Sequence, residues 1–172
     1  MVRPVLRGGM SQNSDEHVVG LISDTHGLLR YGVHAAFAEV DIILHAGDVG
    51  GPDVLDELTT IAPTLAVYGN TDPVGVPGLE RELLVQVGGV TLHVSHGHEL
   101  GSPTPQALLA MYPQDIVVYG HTHEALVQWD GNRMVVNPGA AGPRRFHLRP
   151  SVARLTIANG RAHVEMVELE DD

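Results

Sequence analysis

Short apolar runs alternate with segments of helical periodicity in the first half of the chain. The runs at 17–24, 41–46 and 64–68 predict buried strands, and the periodic segments at 28–40 and 52–60 predict helices. The second predicted helix has Pro52 near its start, where proline is well tolerated. This order of strands and helices predicts a parallel sheet covered by helices.

Hairpins dominate the second half of the chain. Strand pairs are predicted at 82–87 with 90–95, at 125–129 with 133–136, and at 152–158 with 162–169, each around a turn rich in glycine or asparagine. A helix at 103–111 and a buried strand at 115–119 lie between the first two hairpins. We therefore predict an α/β fold (α+β in some schemes) of two packed mixed sheets with helices outside.

Length and composition fit one globular domain. The chain has 172 residues, of which 43% are hydrophobic and 18% are charged. We assign residues 1–16 to a flexible N-terminal leader and residues 17–172 to a single domain. No stretch resembles the apolar core of a secretory signal or approaches the roughly 18 apolar residues of a membrane span. We therefore expect a cytoplasmic protein with no membrane partner.

Two residue types are missing, and their absence excludes several functions. Because the sequence has no cysteine, disulfides, thiolate nucleophiles and iron–sulfur clusters are excluded. Because it has no lysine, pyridoxal chemistry and Walker-type hydrolysis of nucleoside triphosphates are excluded as well. The net charge of −11 disfavours long nucleic acid as a partner and suits a site that binds cations. The 11 histidines are scattered along the chain.

Residue types that bind metals follow five of the predicted strands. The clusters are Asp24-Thr25-His26, Gly47-Asp48, Gly69-Asn70, His96-Gly97-His98 and Gly120-His121-Thr122-His123. Sites in open α/β sheets form at the carboxyl ends of the strands, so the five clusters can converge on one crevice. Side chains at i and i+2 of an extended segment project the same way, and the glycines allow tight turns.

The chemistry of these clusters predicts a metal site. Carboxylates and imidazoles together suit divalent transition metals. Seven candidate ligands are too many for one ion and suit two ions that share a bridging carboxylate. Each cluster alone has an ordinary alternative, since Gly-Asp and Gly-Asn are common turns. The combination, with every cluster placed after an apolar strand, favours the metal site.

Other polar and aromatic residues have structural interpretations. His45 is interpreted as a hydrogen-bonded core residue, His93 as structural and Trp129 as a packing residue. The remaining histidines outside the clusters are assigned to the surface; they are His17, His34, His147 and His163. Arg144 and Arg145 have two open interpretations, as contacts to substrate anions or as solvated surface arginines.

The five clusters resemble the pattern of the calcineurin-like metallophosphoesterase superfamily, which is Asp-x-His, Gly-Asp, Gly-Asn-x-(Asp/Glu), His and Gly-His-x-His. The segment Gly69-Asn70-Thr71-Asp72 fits the third element. The small size and the segment Asn137-Pro138-Gly139 are similar to the compact YfcE-like phosphodiesterase branch. The resemblance covers about residues 17–142. It implies a single metallophosphoesterase domain folded as a four-layer α-β-β-α sandwich.

The resemblance also implies ligands and roles. One ion would be held by Asp24, His26, Asp48 and His123, and the other by Asp48, Asn70, His96 and His121, with Asp48 bridging. Mn²⁺ is the expected metal, with iron, zinc, cobalt and nickel as alternatives. A hydroxide bridging the ions would attack phosphorus in line with the leaving oxygen. The predicted catalytic residues are Asp48, Asn70 and His98, and His98 is expected to contact the substrate or to support the ligands rather than to bind metal.

Two positions depart from the family pattern. Many relatives have a histidine directly after the asparagine of Gly-Asn, where it assists the leaving group. This chain has Thr71 there, which cannot act as a general acid near neutral pH. Small YfcE-like relatives often lack that histidine too. Ala140 stands where related sequences often have serine, so the role of that loop toward phosphate is left open.

The resemblance implies a phosphoesterase acting on a small phosphorylated substrate. Diesters are favoured over monoesters because no cluster dedicated to a dianion is evident, although Arg144 and Arg145 could supply one. An alternative is a non-catalytic scaffold resembling the small retromer subunit, which works mainly through protein contacts; seven filled ligand positions count against it. A nuclease of the same superfamily is disfavoured by the acidic charge. A homo-oligomer is left open.

Overall fold

The computed structural model describes residues 15–171 and contains two mixed β-sheets. The first sheet has the spatial order β11 (Arg161–Glu168), β10 (Ser151–Ala158), β1 (Glu16–Ile22), β2 (Ile42–His45), β3 (Thr64–Val67) and β4 (Leu79–Glu80). Strands β1 to β4 are parallel to one another, and β10 is antiparallel to β1 and β11. The predicted leader lies outside the described residues except for its last two. Of these, Glu16 is the first residue of β1 and pairs with Ala158.

The second sheet has five strands. Its spatial order is β5 (Leu83–Val87), β6 (Val90–Val94), β7 (Ile116–Val118), β9 (Arg133–Asn137) and β8 (Leu126–Asp130). The central strands β6, β7 and β9 run parallel, and β5 and β8 close the sheet as antiparallel edges. The three predicted hairpins are therefore present.

Four layers follow from which faces are buried. The largest apolar cluster lies between the sheets, where Leu44 from the first sheet and Val94 from the second are both fully buried. Helices α1 (Gly32–Ala36) and α2 (Pro52–Ile61) cover the outer face of the first sheet. Helix α3 (Pro105–Met111) covers the outer face of the second. The predicted α-β-β-α sandwich is confirmed. Among the described residues, no helix is long and apolar enough to cross a membrane.

Two predicted helices differ from the structure, and one short strand was not predicted. The helix predicted at 28–40 is wrong in length, because only Gly32–Ala36 is helical. The chain after Ala36 forms a turn instead of more helix. Phe37 is fully buried in that turn, and Glu39 has a left-handed φ of 63°. The two-residue strand β4 was not predicted, since it is too short to show a period. The helix predicted from 103 begins at Pro105, because the side chain of Thr104 caps it by accepting from the Ala107 amide.

Arg133 ties the end of α3 to the second sheet. Its Nε donates to the carbonyl of Gln114 at 3.0 Å and its Nη1 donates to that of Leu109 at 3.0 Å. Its Nη2 donates to the carbonyl of Tyr112. The last carbonyls of a helix have no partner within it, so one guanidinium satisfies groups that would otherwise need water.

We expect Arg133→Gln to lower the free energy of unfolding by about 2–3 kcal/mol, because hydrogen bonds to a charged donor are lost from a partly buried site. Arg149→Gln is the matched control, since Arg149 forms an exposed bridge to Glu168 at 3.1 Å and should contribute less than about 1 kcal/mol. Urea denaturation of both variants measures the difference. Equal losses would show that Arg133 is only a surface residue.

Candidate metal centre

The carboxyl ends of parallel strands from both sheets meet at one edge of the sandwich. The segments that follow β1, β2 and β3 come from the first sheet, and those that follow β6 and β7 come from the second. Backbone hydrogen bonds join neighbouring segments within each sheet. The Asp24 amide donates to the carbonyl of Gly47 at 3.0 Å, and the Gly120 amide donates to the carbonyl of His96 at 3.1 Å. All five predicted clusters are thereby brought together.

Asp24 lies at the centre of the first group of side chains. Its Oδ1 is 3.2 Å from His123 Nε2, 3.8 Å from His26 Nε2 and 3.9 Å from His96 Nε2. Its Oδ2 accepts from the Ser23 hydroxyl at 2.6 Å and from the His121 amide at 3.2 Å. One oxygen is thus fixed by the chain, and the other faces three imidazoles.

Asp48 lies between two of the same imidazoles. Its Oδ2 is 3.3 Å from His96 Nε2 and 3.7 Å from His26 Nε2, and its Oδ1 accepts from the Thr71 amide at 2.9 Å. This is the position that the sequence analysis assigned to a bridging carboxylate.

Asn70 and His121 complete the cluster. The side-chain oxygen of Asn70 is 3.1 Å from both His96 Nε2 and His121 Nδ1. The seven predicted ligands therefore form one continuous group in the structure.

The donor set fits divalent cations. Asp24 Oδ1 and His26 Nε2 are buried and have no hydrogen-bond partner among the described residues, although buried polar atoms nearly always have one. His96 Nδ1 lies 2.8 Å from the carbonyl of Ala46 and donates to it, which leaves Nε2 free to bind a cation in the neutral ring. Carboxylate, amide and imidazole donors suit transition metals.

Two groups of three have donor atoms within 4.8 Å of one another among residues 15–171. They are Asp24 with His26 and His123, and Asp24 with Asp48 and His96. The first falls within one predicted ligand set. The second places Asp24 beside residues of both sets, so Asp24 is more central than predicted.

Backbone strain is concentrated at the same residues. Asp24, His26, Asp48, His121 and His123 all have φ between 46° and 69°. Left-handed backbone is uncommon for residues other than glycine, and strain of this kind clusters at functional sites. Only three other non-glycine residues of the described chain share it.

Glycines beside the ligands allow their close approach. A Cβ on Gly69 would lie 2.0 Å from Asp48 Oδ1, and one on Gly120 would lie 2.0 Å from Ser23 Oγ. Gly69 and Gly120 are therefore required because no side chain fits there. Their φ values are ones that any residue adopts, so backbone conformation is not the reason.

The carboxylates and imidazoles shift one another's pKa. Burial opposes ionisation of Asp24, but the adjacent His123 imidazole, the charge of His96 and the Ser23 hydroxyl together lower its pKa. The pKa of Asp48 is also lowered despite burial, through His96 and the Thr71 amide. The two carboxylates raise the pKa of His96 against the opposing effect of burial. Both carboxylates are thus favoured in their charged form.

Burial acts in the other direction on two further imidazoles. It lowers the pKa of His26 and of His121. At His26 the carboxylates Asp48 and Asp24 oppose this lowering of the pKa, and the positive charge of Arg145 adds a smaller lowering. Neutral imidazoles are the form that binds metal.

His45 has a structural role, as predicted. It is fully buried; its Nδ1 accepts from the Gly47 amide at 3.1 Å, and its Nε2 donates to the Thr25 hydroxyl at 2.9 Å. The hydroxyl donates onward to the carbonyl of Val49 at 2.7 Å. Burial lowers the pKa of His45 to about 4, so the ring is neutral. The series of hydrogen bonds through His45 and Thr25 holds the ends of β1 and β2 together.

Asp72 and Asn137 support the ligand loops, a role that sequence analysis missed. Asp72 accepts from the amides of Val49, Gly50 and Gly69 at 2.9–3.0 Å. Asn137 Nδ2 donates to the carbonyl of Gly120 at 3.0 Å and to the Thr122 hydroxyl at 2.9 Å. The signals were present in Gly-Asn-x-Asp and Asn-Pro-Gly. Each could have been interpreted as an anchor for the neighbouring loop.

His98 and Thr71 lie beside the centre. The His98 side chain is 23% exposed, and its ring centroid is 5.4 Å from that of His96 and 6.4 Å from that of His121. It belongs to neither donor group, in keeping with the predicted substrate contact, which stays a prediction. Thr71 is exposed and touches the centre through its amide.

We expect Gly69→Ala to weaken binding of divalent ions by about 10-fold or more, because the new methyl group would displace Asp48, and loss of support around ligands typically has such effects. Isothermal titration with Mn²⁺ measures the change. Gly32→Ala is the matched control, since its Cβ would meet only Leu169 at an ordinary 3.5 Å. Unchanged affinity in Gly69→Ala would contradict the close packing at Asp48.

Comparison with known proteins agrees with this arrangement. The family model of the calcineurin-like phosphoesterase superfamily domain matches residues 18–160. A protein of Methanothermobacter thermautotrophicus named "Probable metallophosphoesterase" is 31% identical over 158 residues, which cover 87% of this chain and 91% of that protein. Phosphodiesterase MJ0936 of Methanocaldococcus jannaschii is 28% identical over 138 residues, covering 70% and 82%.

Solved structures share the fold. Vacuolar Protein Sorting 29 from Cryptosporidium parvum superposes with a TM-score of 0.75 at 22% identity, covering 91% of this chain and 99% of that chain. The resemblance inferred from the five clusters is confirmed. The chain belongs to the calcineurin-like phosphoesterase superfamily.

Proposed function

We propose that the protein is a metal-dependent phosphodiesterase whose centre holds two divalent ions. The observation that carries this proposal is the buried, unpartnered Oδ1 of Asp24, which faces three imidazole nitrogens within 3.9 Å. Burying a carboxylate oxygen without a hydrogen-bond partner is costly, and a bound cation would compensate that cost. A relative named as a phosphodiesterase supports the same activity.

The ligands would be divided as the resemblance implies. Asp24, His26, Asp48 and His123 would hold one ion, and Asp48, Asn70, His96 and His121 the other. Two ions held there would supply Lewis acidity, which activates water and neutralises charge on the phosphate. Manganese is the proposed metal, and iron, zinc, cobalt and nickel are the alternatives to test.

The chain's own contribution is orientation. Asp24 is held by Ser23 and the His121 amide, and Asp48 by the Thr71 amide. Each carboxylate thereby keeps one oxygen directed toward the imidazoles. Rigidly placed charges need no reorganisation during reaction, and this preorganisation supplies much of the catalytic effect in enzymes.

A scaffold function is the alternative that the fold suggests. The likeness to Vacuolar Protein Sorting 29 is a likeness of fold at 22% identity. The retained set of seven convergent donors favours catalysis, because a protein that acts only through its surface does not need buried carboxylates at a strained backbone. Diesters remain the preferred substrates, since a diester presents a single negative charge to an acidic chain.

We expect metal-free protein to hydrolyse bis(p-nitrophenyl) phosphate after loading with Mn²⁺, and to hydrolyse p-nitrophenyl phosphate less well. Asp48→Asn should lower kcat by more than about 100-fold. Loss of a residue that only supports a ligand typically costs about 10- to 100-fold, and loss of the proposed shared ligand should cost more. The measurements are kcat for both substrates with each of the five metals, and the metal content of each sample.

His34→Gln is the matched control, since His34 lies on the surface 2.8 Å from Glu57 and away from the centre. Its activity should equal that of the unaltered protein. Absence of turnover with every metal, or full activity in Asp48→Asn, would favour the scaffold.

Thr71 predicts how the rate depends on the leaving group. With no histidine at this position to protonate the departing oxygen, we expect kcat/KM to fall steeply as leaving-group pKa rises. General acid catalysis contributes about 10²–10⁴-fold where it operates, so its absence should be visible across a series of aryl esters. Thr71→His should flatten the dependence.

His98→Ala tests whether His98 supplies the proton instead. If His98 acts as the acid, the dependence is shallow in the unaltered protein and steepens in His98→Ala. A shallow dependence that persists in His98→Ala would show that another acid serves the leaving group, and the prediction would be wrong.

A further inference from the structure

The structure separates the two adjacent arginines that the sequence could not distinguish. Arg144 Nη1 donates to Asp171 Oδ2 at 2.9 Å, so this side chain is paired with the C-terminal segment. Arg145 is exposed and has no ion pair among the described residues. Neighbours in sequence thus differ in what they can bind.

The loop that carries Arg145 lies against the metal-binding segment. The Ala141 amide donates to the carbonyl of Ser23 at 2.9 Å, and the Gly142 amide donates to that of Asp24 at 3.2 Å. A Cβ on Gly142 would lie 2.1 Å from the carbonyl oxygen of Thr25, so only glycine allows the loop to pack this closely on the segment. Arg145 follows Gly142 by three residues, so its Cα lies within about 11 Å of that contact.

Few other cations are available to an anionic substrate. The chain has no lysine, and five of its described arginines are engaged elsewhere. They are Arg30, bound to Gly142 and Glu170; Arg133, at the end of α3; Arg144, on Asp171; Arg149, on Glu168; and Arg154, on Ala36 and Ala38. Arg81 lines a cleft with Tyr112, and Arg161 lies at the start of β11. On a protein with a net charge of −11, Arg145 combines a guanidinium without an ion pair with a loop that is hydrogen-bonded to the Ser23–Asp24 segment.

Phe146 directly follows Arg145 in sequence and is exposed at a conformational cost. Its side chain is 92% exposed, the largest value among the exposed large hydrophobic residues described. Its φ is +53°, which is rare for a bulky residue, and the Leu148 amide closes the turn by donating to the carbonyl of Arg145 at 3.1 Å. Strain that holds an aromatic ring in water indicates a binding role.

We propose that Arg145 and Phe146 form a recognition element for phosphate esters that carry a planar aromatic ring, such as a nucleobase. Arg145 binds oxygen atoms of the phosphate, and Phe146 stacks on the ring. The inference rests on the proposed function, because it names the substrate class of the same centre.

Equilibrium binding of adenosine 5′-monophosphate and ribose 5-phosphate to the Mn²⁺-loaded protein tests both residues. The two probes share a phosphate and a sugar and differ in the base. Arg145→Gln should weaken both by about 10- to 100-fold, as expected for loss of a charged hydrogen bond. Phe146→Ala should weaken only the nucleotide, by about 5- to 150-fold, the effect typical of lost base stacking.

Arg144→Gln is the matched control and should bind both probes unchanged, whereas Arg145→Lys should recover part of the affinity. Metal content should be equal in all variants. In turnover of a nucleoside aryl diester, Arg145→Gln should raise KM with little change in kcat, because the contact is made in the ground state as well.

The outcomes separate this inference from the proposed function. Diester turnover with no preference for the nucleotide, or with Arg145→Gln equal to Arg144→Gln, overturns the inference and leaves the phosphodiesterase intact. Absence of turnover together with the predicted binding differences overturns the enzyme and retains the recognition element. A change of oligomeric state in Phe146→Ala with unchanged affinity would assign Phe146 to an interface and overturn its part.

Discussion

Two buried carboxylates, Asp24 and Asp48, are the constraint around which the rest of the structure is arranged. Charge removed from water is unfavourable unless it is paired or hydrogen-bonded, and the fold supplies both. Ser23, the His121 amide and the Thr71 amide bind one oxygen of each carboxylate, and imidazoles face the other. Among the candidate ligands, Asp24 Oδ1, His26 Nε2 and His123 Nδ1 still lack hydrogen-bond partners in the described residues. These buried polar atoms without partners make the cluster a candidate site for cations.

The two-sheet architecture is the means by which residues nearly one hundred positions apart reach one another. Parallel strands end at the same edge of a sheet, and two such sheets packed face to face place two sets of strand ends together. Backbone bonds between segments then fix the ligands, as Asp24 to Gly47 and Gly120 to His96 show. Glycines leave the space, and Asp72 holds three amides of neighbouring loops. Fold and site are therefore parts of one arrangement.

The sequence could predict the strands and the candidate ligands because both leave local signals. Apolar runs mark strands, and each ligand cluster follows such a run beside a glycine. The short length of α1 could not be predicted, because the apolar residues keep a helical spacing beyond the end of the helix. Phe37 follows that end and is buried by tertiary packing from a turn. The different environments of Arg144 and Arg145 depend on Asp171, which is 27 positions from Arg144. The positive φ of Phe146 likewise leaves no mark in composition.

The strain at the centre bears on the choice between enzyme and scaffold. Each non-glycine residue in left-handed backbone costs about 1–3 kcal/mol, and five candidate ligands share this conformation. A domain of this size has a net stability of about 5–15 kcal/mol, so the strain is large on that scale. Packing alone would favour glycine at those positions, because glycine adopts the conformation without strain. Aspartate and histidine there are explained by the atoms that they present to the crevice. A protein acting only through its outer surface gains nothing from those atoms, whereas a metal-dependent enzyme depends on them.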